Sequence, residues 1–188
     1  MTLTTPGRTM TPLRRAAEAA EEASGLRADI IRGVLMISPT SRGKHAGIIN
    51  ALYDQLRPAL QERLRPFQIA SVTMPDDEDD YATPDLLVCD AGFGESDDWL
   101  ADPADVELVV EVVSKGNSTK DSRDMVAWYA DVGISTYLLV DPRDGTWTLR
   151  TVPRDGAYQG SPRGRYGESV ELTALGVKIA TDGFVRYG

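Results

Sequence analysis

The stretch that decides the fold runs VELVVEVV over residues 106–113, SKGNSTKDSRDMVAWYADVGI over 114–134 and STYLLV over 135–140. The first and last pieces are short, apolar and rich in β-branched residues, as buried strands are. Between them Ser118 opens a helix that runs to about Asp131. Asp121 follows three residues on, in an acidic variant of the capping box, and Gly133 ends the helix. Strand, helix, strand predicts a βαβ unit, and therefore a parallel pair joined by a right-handed crossover.

Outward from this unit, Asp141 to Gly145 is a turn into a hairpin partner over Thr146 to Val152, and a Gly-rich tail carries short strand-like pieces. Upstream, Leu86 to Cys89 is a short buried strand introduced by Pro84-Asp85, with an acidic loop from Gly92 to Asp105 after it. Phe67 to Met74 reads as one strand, and Asp76 to Asp80 as a solvated loop. His45, Ile48, Ile49, Leu52 and Leu56 recur at helical spacing. Leu60 and Leu64 are expected to continue that face beyond a kink or restart at Pro58. Asp29 to Ser38 is a hairpin turning at Arg32-Gly33. Thr11 caps a first helix, with Pro12 at its first position and Ser24-Gly25 at its end. The expectation is a disordered lead-in over residues 1–10, then one mixed α/β domain over 11–188, a central mixed sheet flanked by helices.

The 188 residues carry a net charge of −9. Residues 76–105 hold twelve of the 29 acids and no Lys or Arg, so the remainder is slightly basic. A uniformly basic nucleic-acid footprint is absent, and any such role must rest on local contacts or a divalent metal. The longest apolar run, Met125 to Ala130, is far short of the roughly 20 residues of a membrane span. The start has no apolar leader, and the single Cys89 has no partner within the chain. A reduced cysteine and a cytoplasmic location are expected. No glycine-rich phosphate loop occurs. With one histidine and one cysteine there is neither a zinc set nor a Cys/His dyad, and His45 reads as structural.

Two acids need explaining. Glu111 lies inside an apolar strand, on the face it shares with Glu107, Val109 and Val113. A buried carboxylate there costs several kcal/mol unless it is paired or metal-bound, by the order of magnitude for buried ions. Asp85 heads the strand Leu86 to Cys89, where a local turn role is an open alternative. Two carboxylates at the ends of adjacent strands can converge on one cation, with hard oxygen ligands suited to Mg²⁺ or Mn²⁺.

Pro84-Asp85 with Glu111 twenty-six residues on looks like the PD-(D/E)XK nuclease superfamily. Several further pieces follow in order: Gly33 to Pro39 before His45, Pro84-Asp85-Leu86, Val109 to Ser114, Asp121, Tyr129, Gly133-Ile134, Tyr137 and Val140-Asp141-Pro142. This series resembles the bacterial family named "Putative restriction endonuclease". The resemblance implies a restriction-endonuclease-like fold, a metal-dependent endonuclease activity on nucleic acid, chiefly DNA, and Asp85 and Glu111 as metal ligands. It also offers Asp29, from the first hairpin, as a third ligand; an exposed hairpin residue is the alternative. Whether the chain is a homodimer is open.

The sequence departs from the family at the catalytic lysine. The superfamily places it two residues after the glutamate, where Val113 stands, or on the following helix, where Met125 stands. Lys115 and Lys120 are the replacements on offer. The absence of lysine from the usual places raises one rival, a nuclease fold that binds nucleic acid or protein without cleaving, and the net charge of −9 raises another, an interaction protein unrelated to nucleic acid.

Overall fold

The structure, a computed structural model, describes residues 11–38, 42–75, 77–114 and 119–188. Its main sheet is built on the stretch quoted above. Strand β8 (Val106–Val112) runs parallel to β9 (Thr136–Asp141), with helix α3 (Thr119–Asp131) between them. The Ser118 cap lies outside the described residues. On the other side of β8 lies β6 (Leu86–Asp90), antiparallel to it, and then β3 (Leu64–Phe67). Beyond β9 the sheet continues antiparallel through β10 (Thr146–Arg154), which pairs with β11 (Ala157–Gly160) and β12 (Arg163–Arg165).

Alternation along these strands builds a core on each face. Leu86 and Val88 pack with Leu108, Val110 and Val112 against α2 (Gly43–Ala59), with the hairpin of β13 (Val170–Leu172) and β14 (Val177–Ile179) closing that side. Leu87, Cys89 and Val109 face the other way, toward Trp128 and Tyr129 of α3. Cys89 is buried, and burial pushes its thiol up to about 12.

A second sheet is ordered β2-β1-β5-β4-β7. Its hairpin joins β1 (Arg27–Ile31) to β2 (Val34–Ser38) through Arg32 and Gly33, both at positive φ, the backbone of a type I′ turn. Strands β4 (Ser71–Met74), β5 (Asp77–Ala82) and β7 (Leu100–Ala101) complete it. Helix α1 (Pro12–Ser24) docks on this sheet. Thr11 caps it by accepting the Arg14 N–H, and Gly25 ends it in the left-handed conformation. Arg14 reaches across to stack its guanidinium on Tyr81 and Trp99, 4.6 and 4.4 Å from the ring centres.

Four expectations are corrected. Helix α2 ends at Ala59 with Pro58 inside its last turn, and Leu64 begins a strand instead of continuing the helix. Pro58 lacks the N–H that would bond the Asp54 carbonyl, and the helix stops one residue later, so the proline marks its end and does not restart it. The Phe67–Met74 run is divided between β3 and β4, with Ile69 at positive φ between them. The acidic run is not a solvated loop, since Asp77 to Asp80 fall in β5. Asp80 is buried there and accepts the Gly33 N–H of the hairpin turn, so its charge is answered by backbone. Gly92 to Asp105 is not all loop, because it carries two short 3₁₀ turns and β7.

Leu108 is fully buried at the centre of the α2-side core. Leu108→Ala is expected to cost about 2–5 kcal/mol. Urea unfolding should show this as a lower midpoint at unchanged slope. A loss below about 1 kcal/mol would contradict this packing.

Candidate functional site

The register of the β6–β8 ladder brings the two acids together. Leu86 pairs with Val110, so one step further the antiparallel register sets Asp85 opposite Glu111. Directly opposite residues share a face, with Cβ atoms about 4.5–5.5 Å apart in a regular pair. Asp85 stands just before β6, and its Oδ2 accepts the Val112 N–H at 2.8 Å, which ties the carboxylate to the end of β8. Glu111 Oε1 accepts the Tyr129 hydroxyl at 2.9 Å. Tyr129 is fully buried, so a residue of the α3 packing face doubles as the anchor of Glu111.

Both acids line a cavity of about 1170 Å³. The first turn of α2 forms part of its wall through Gly43, Lys44 and His45, and Arg27 and Arg42 add two more cations. Among the described residues no side chain caps the N-terminus of α2, and its first turn carries no acid, so the positive end of the helix dipole is on the side of this cavity.

The electrostatics are those of a crowded acidic pair. Burial, and then the charge of Asp85, raise the Glu111 carboxyl above its usual range. Arg27 and the Tyr129 hydrogen bond oppose that shift without cancelling it. Arg27 itself stays firmly charged. Burial works against its charge, but Asp29, Glu111 and Asp85 together prevail. His45 Nε2 lies 3.1 Å from Asp85 Oδ1, and its Nδ1 lies 3.4 Å from the Tyr187 hydroxyl.

Sequence reasoning singled out Asp85 and Glu111, and the fold places them side by side. Asp29 is not an exposed hairpin residue. It is buried, accepts the Thr83 N–H at 2.8 Å and lies 3.5 Å from Arg27 Nε. It sits behind the cavity wall and is not among the described residues that line it. Lys115 lies outside the described residues, and Lys120 falls in the first turn of α3. Val113 is buried, its N–H given to the Val140 carbonyl. Met125 lies one turn before Tyr129 on α3 and packs half-buried against the same core. Neither usual lysine place therefore holds a cation. Two neighbours of the pair, His45 and Arg27, carried no functional signal in the sequence. His45 was expected to be structural, yet it lines the cavity against Asp85. Arg27 carried no signal beyond lying two residues before Asp29 on an apolar strand.

Two carboxylates on a cavity wall suit a hard cation. Among the described residues no three His, Cys, Asp or Glu side chains gather into a metal cage. Mg²⁺ does not require one, since it commonly takes one or two carboxylates and completes its shell with water and substrate phosphate.

The raised Glu111 carboxyl makes stability fall with pH. Above the ordinary glutamate range the unfolded chain releases the proton that folded Glu111 retains, so the folded state loses ground as pH climbs toward the raised value. Glu111→Gln should therefore melt higher than the natural chain at about pH 8 and nearly equal to it at about pH 4, by roughly 2–4 °C per kcal/mol relieved. Thermal melts of both proteins across that range check it. A gap that is constant with pH would show that Glu111 ionises normally.

No curated protein matches the chain in sequence. Among solved structures it is similar to the crystal structure of "a putative nuclease belonging to DUF820" from Anabaena variabilis ATCC 29413. The TM-score is 0.64 at 17% identity, over 80% of this chain and 83% of that one. At that identity the likeness speaks for the fold. The Uma2 family model, described as "Putative restriction endonuclease", matches residues 14–182. With the ordered motifs, the restriction-endonuclease-like sheet and this match in agreement, the chain belongs to the Uma2 family.

Proposed function

We propose that this protein is a divalent-metal-dependent endonuclease that hydrolyses phosphodiester bonds of DNA. The observation that carries the reading is the register of β6 on β8, which stands Asp85 against Glu111 on the wall of an open, cation-rimmed cavity. Asp85 and Glu111 would hold Mg²⁺ or Mn²⁺, with a backbone carbonyl near Val112 as a further oxygen ligand. When bound, that ion supplies Lewis-acid polarisation of the phosphate and a more acidic water.

The chain's own groups prepare this arrangement. The Val112 N–H fixes the orientation of Asp85, and the Tyr129 hydroxyl fixes that of Glu111. Lys44, Arg42 and the open end of α2 suit phosphates flanking the scissile one. In the reaction a water oxygen bonds to phosphorus as one bridging P–O bond breaks. One water proton ends on the leaving oxygen, and the other is lost to solvent. Lys115 and Lys120 stand near the end of β8 in sequence and are candidates for charge stabilisation.

A second reading is favoured by one observation: buried Val113 and core-packed Met125 occupy the usual lysine places. On that reading the chain binds nucleic acid without cutting it. Incubation of the purified chain with plasmid DNA separates the two. Cleavage that needs Mg²⁺ or Mn²⁺ and stops with EDTA supports the nuclease. Binding with a steep salt dependence but no cleavage supports the second reading. Asp85→Asn is nearly isosteric and keeps an acceptor for the Val112 N–H. It should remove metal-dependent cleavage by at least about 100-fold while the melting temperature holds or rises. Unchanged cleavage by that variant would remove Asp85 from the mechanism.

A further inference from the structure

The superfamily lysine is missing from this chain, yet a cation stands beside the acidic pair. Arg27, at the start of β1, lines the cavity with Asp85 and Glu111. Its Nη1 lies 3.7 Å from Asp85 Oδ1, and its Nε lies 3.5 Å from Asp29 Oδ2. Both are charge contacts, longer than the 2.7–3.2 Å of a hydrogen bond. Among the described residues Nε has no hydrogen-bond partner, and the side chain keeps 32% of its surface open. An arginine serving only as a counter-ion would be expected to close a bidentate fork on one carboxylate. This one touches two carboxylates through one nitrogen each, which leaves donors of its fork available. Asp29 holds it from behind, buried and itself fixed by the Thr83 N–H.

We propose that Arg27 is the catalytic cation that replaces the absent lysine, and that Asp29 is its positioning residue and not a metal ligand. The proposal rests on the nuclease reading above. With DNA laid across Asp85 and Glu111, the guanidinium donates to a non-bridging oxygen of the scissile phosphate. It stabilises the charge that builds there while the water oxygen bonds to phosphorus and the bridging P–O bond breaks. Arg27 neither gives nor takes a proton, which suits a group charged at all working pH values. Its planar fork also matches a phosphate better than a lysine would. A strand can supply this cation because β1 is held by β2 on one side and β5 on the other, which fixes where the side chain begins.

The test uses the full chain with plasmid DNA in single turnover, alongside Mn²⁺ binding by calorimetry without DNA and DNA affinity in EDTA. Arg27→Met should lower the cleavage rate at saturating DNA and metal by about 100- to 1000-fold, as loss of a charge stabiliser does. DNA affinity should stay within about threefold, and Mn²⁺ should bind at least as tightly, because a repelling charge is gone. Arg27→Lys should keep at least about a tenth of the natural rate. Arg27→Met with Asp29→Asn removes both members of the buried pair and serves where the single variant fails to fold. If neither folds, Arg27→Lys decides: a fall confined to the chemical step supports the proposal, and a fall in DNA affinity overturns it. Natural cleavage by a folded Arg27→Met, or loss of its Mn²⁺ binding, overturns the role of Arg27 and leaves the nuclease reading standing. A natural chain that never cuts in Mg²⁺ or Mn²⁺ overturns both.

Discussion

Asp85 and Glu111 meet where β6 enters the main sheet and β8 leaves it, and two bare carboxylates side by side at the edge of an apolar core repel each other strongly. Several neighbours offset that repulsion, while Asp29 adds to it. The Val112 N–H and the Tyr129 hydroxyl each take one oxygen, while His45 and Arg27 approach Asp85 from helix and strand. The result is incomplete neutralisation, visible in a Glu111 carboxyl that resists ionisation first through burial and then through its neighbour's charge. A sheet that keeps such a pair bears a cost in stability, and sites that bear one commonly do chemistry with it.

On the proposed nuclease reading, the same constraint bears on how an acidic chain would meet a polyanion. With a net charge of −9, long-range attraction to nucleic acid is weak, and the local arrangement must do the work. The acids of residues 76–105 are largely taken up elsewhere, in β5 and the segment around β7. The cavity instead gathers Arg27, Arg42, Lys44 and the open end of α2 around the two acids. The cavity thus sets positive charge on its rim around the two carboxylates.

Much of the architecture was legible because its cause is local. The apolar runs of β8 and β9, the glycine after α3, the Arg32-Gly33 turn and the Thr11 cap all depend on neighbours within a few residues, and each element formed where its pattern lay. Elements whose state depends on partners were misread. Asp77 to Asp80 look solvated by composition, yet pairing with β4 and a hydrogen bond to the hairpin turn hold them in a strand. Leu64 continues a helical spacing but pairs instead with Asp90 of β6.

The sequence by itself determined the class of fold, through apolar periodicity that is local, and its family resemblance singled out Asp85, Glu111 and the absence of lysine at Val113 and Met125. Only the tertiary structure decided what surrounds that pair. It buried Asp29 beside Arg27, and brought His45 from one helix and Arg27 from another sheet against Asp85. The reason is physical: a strand's pattern shows which face a side chain takes, but not which distant strand or helix is packed against it. Arg27 lies in β1 of one sheet and Asp85 just before β6 of the other, remote in sequence, so their contact exists only once both sheets have assembled.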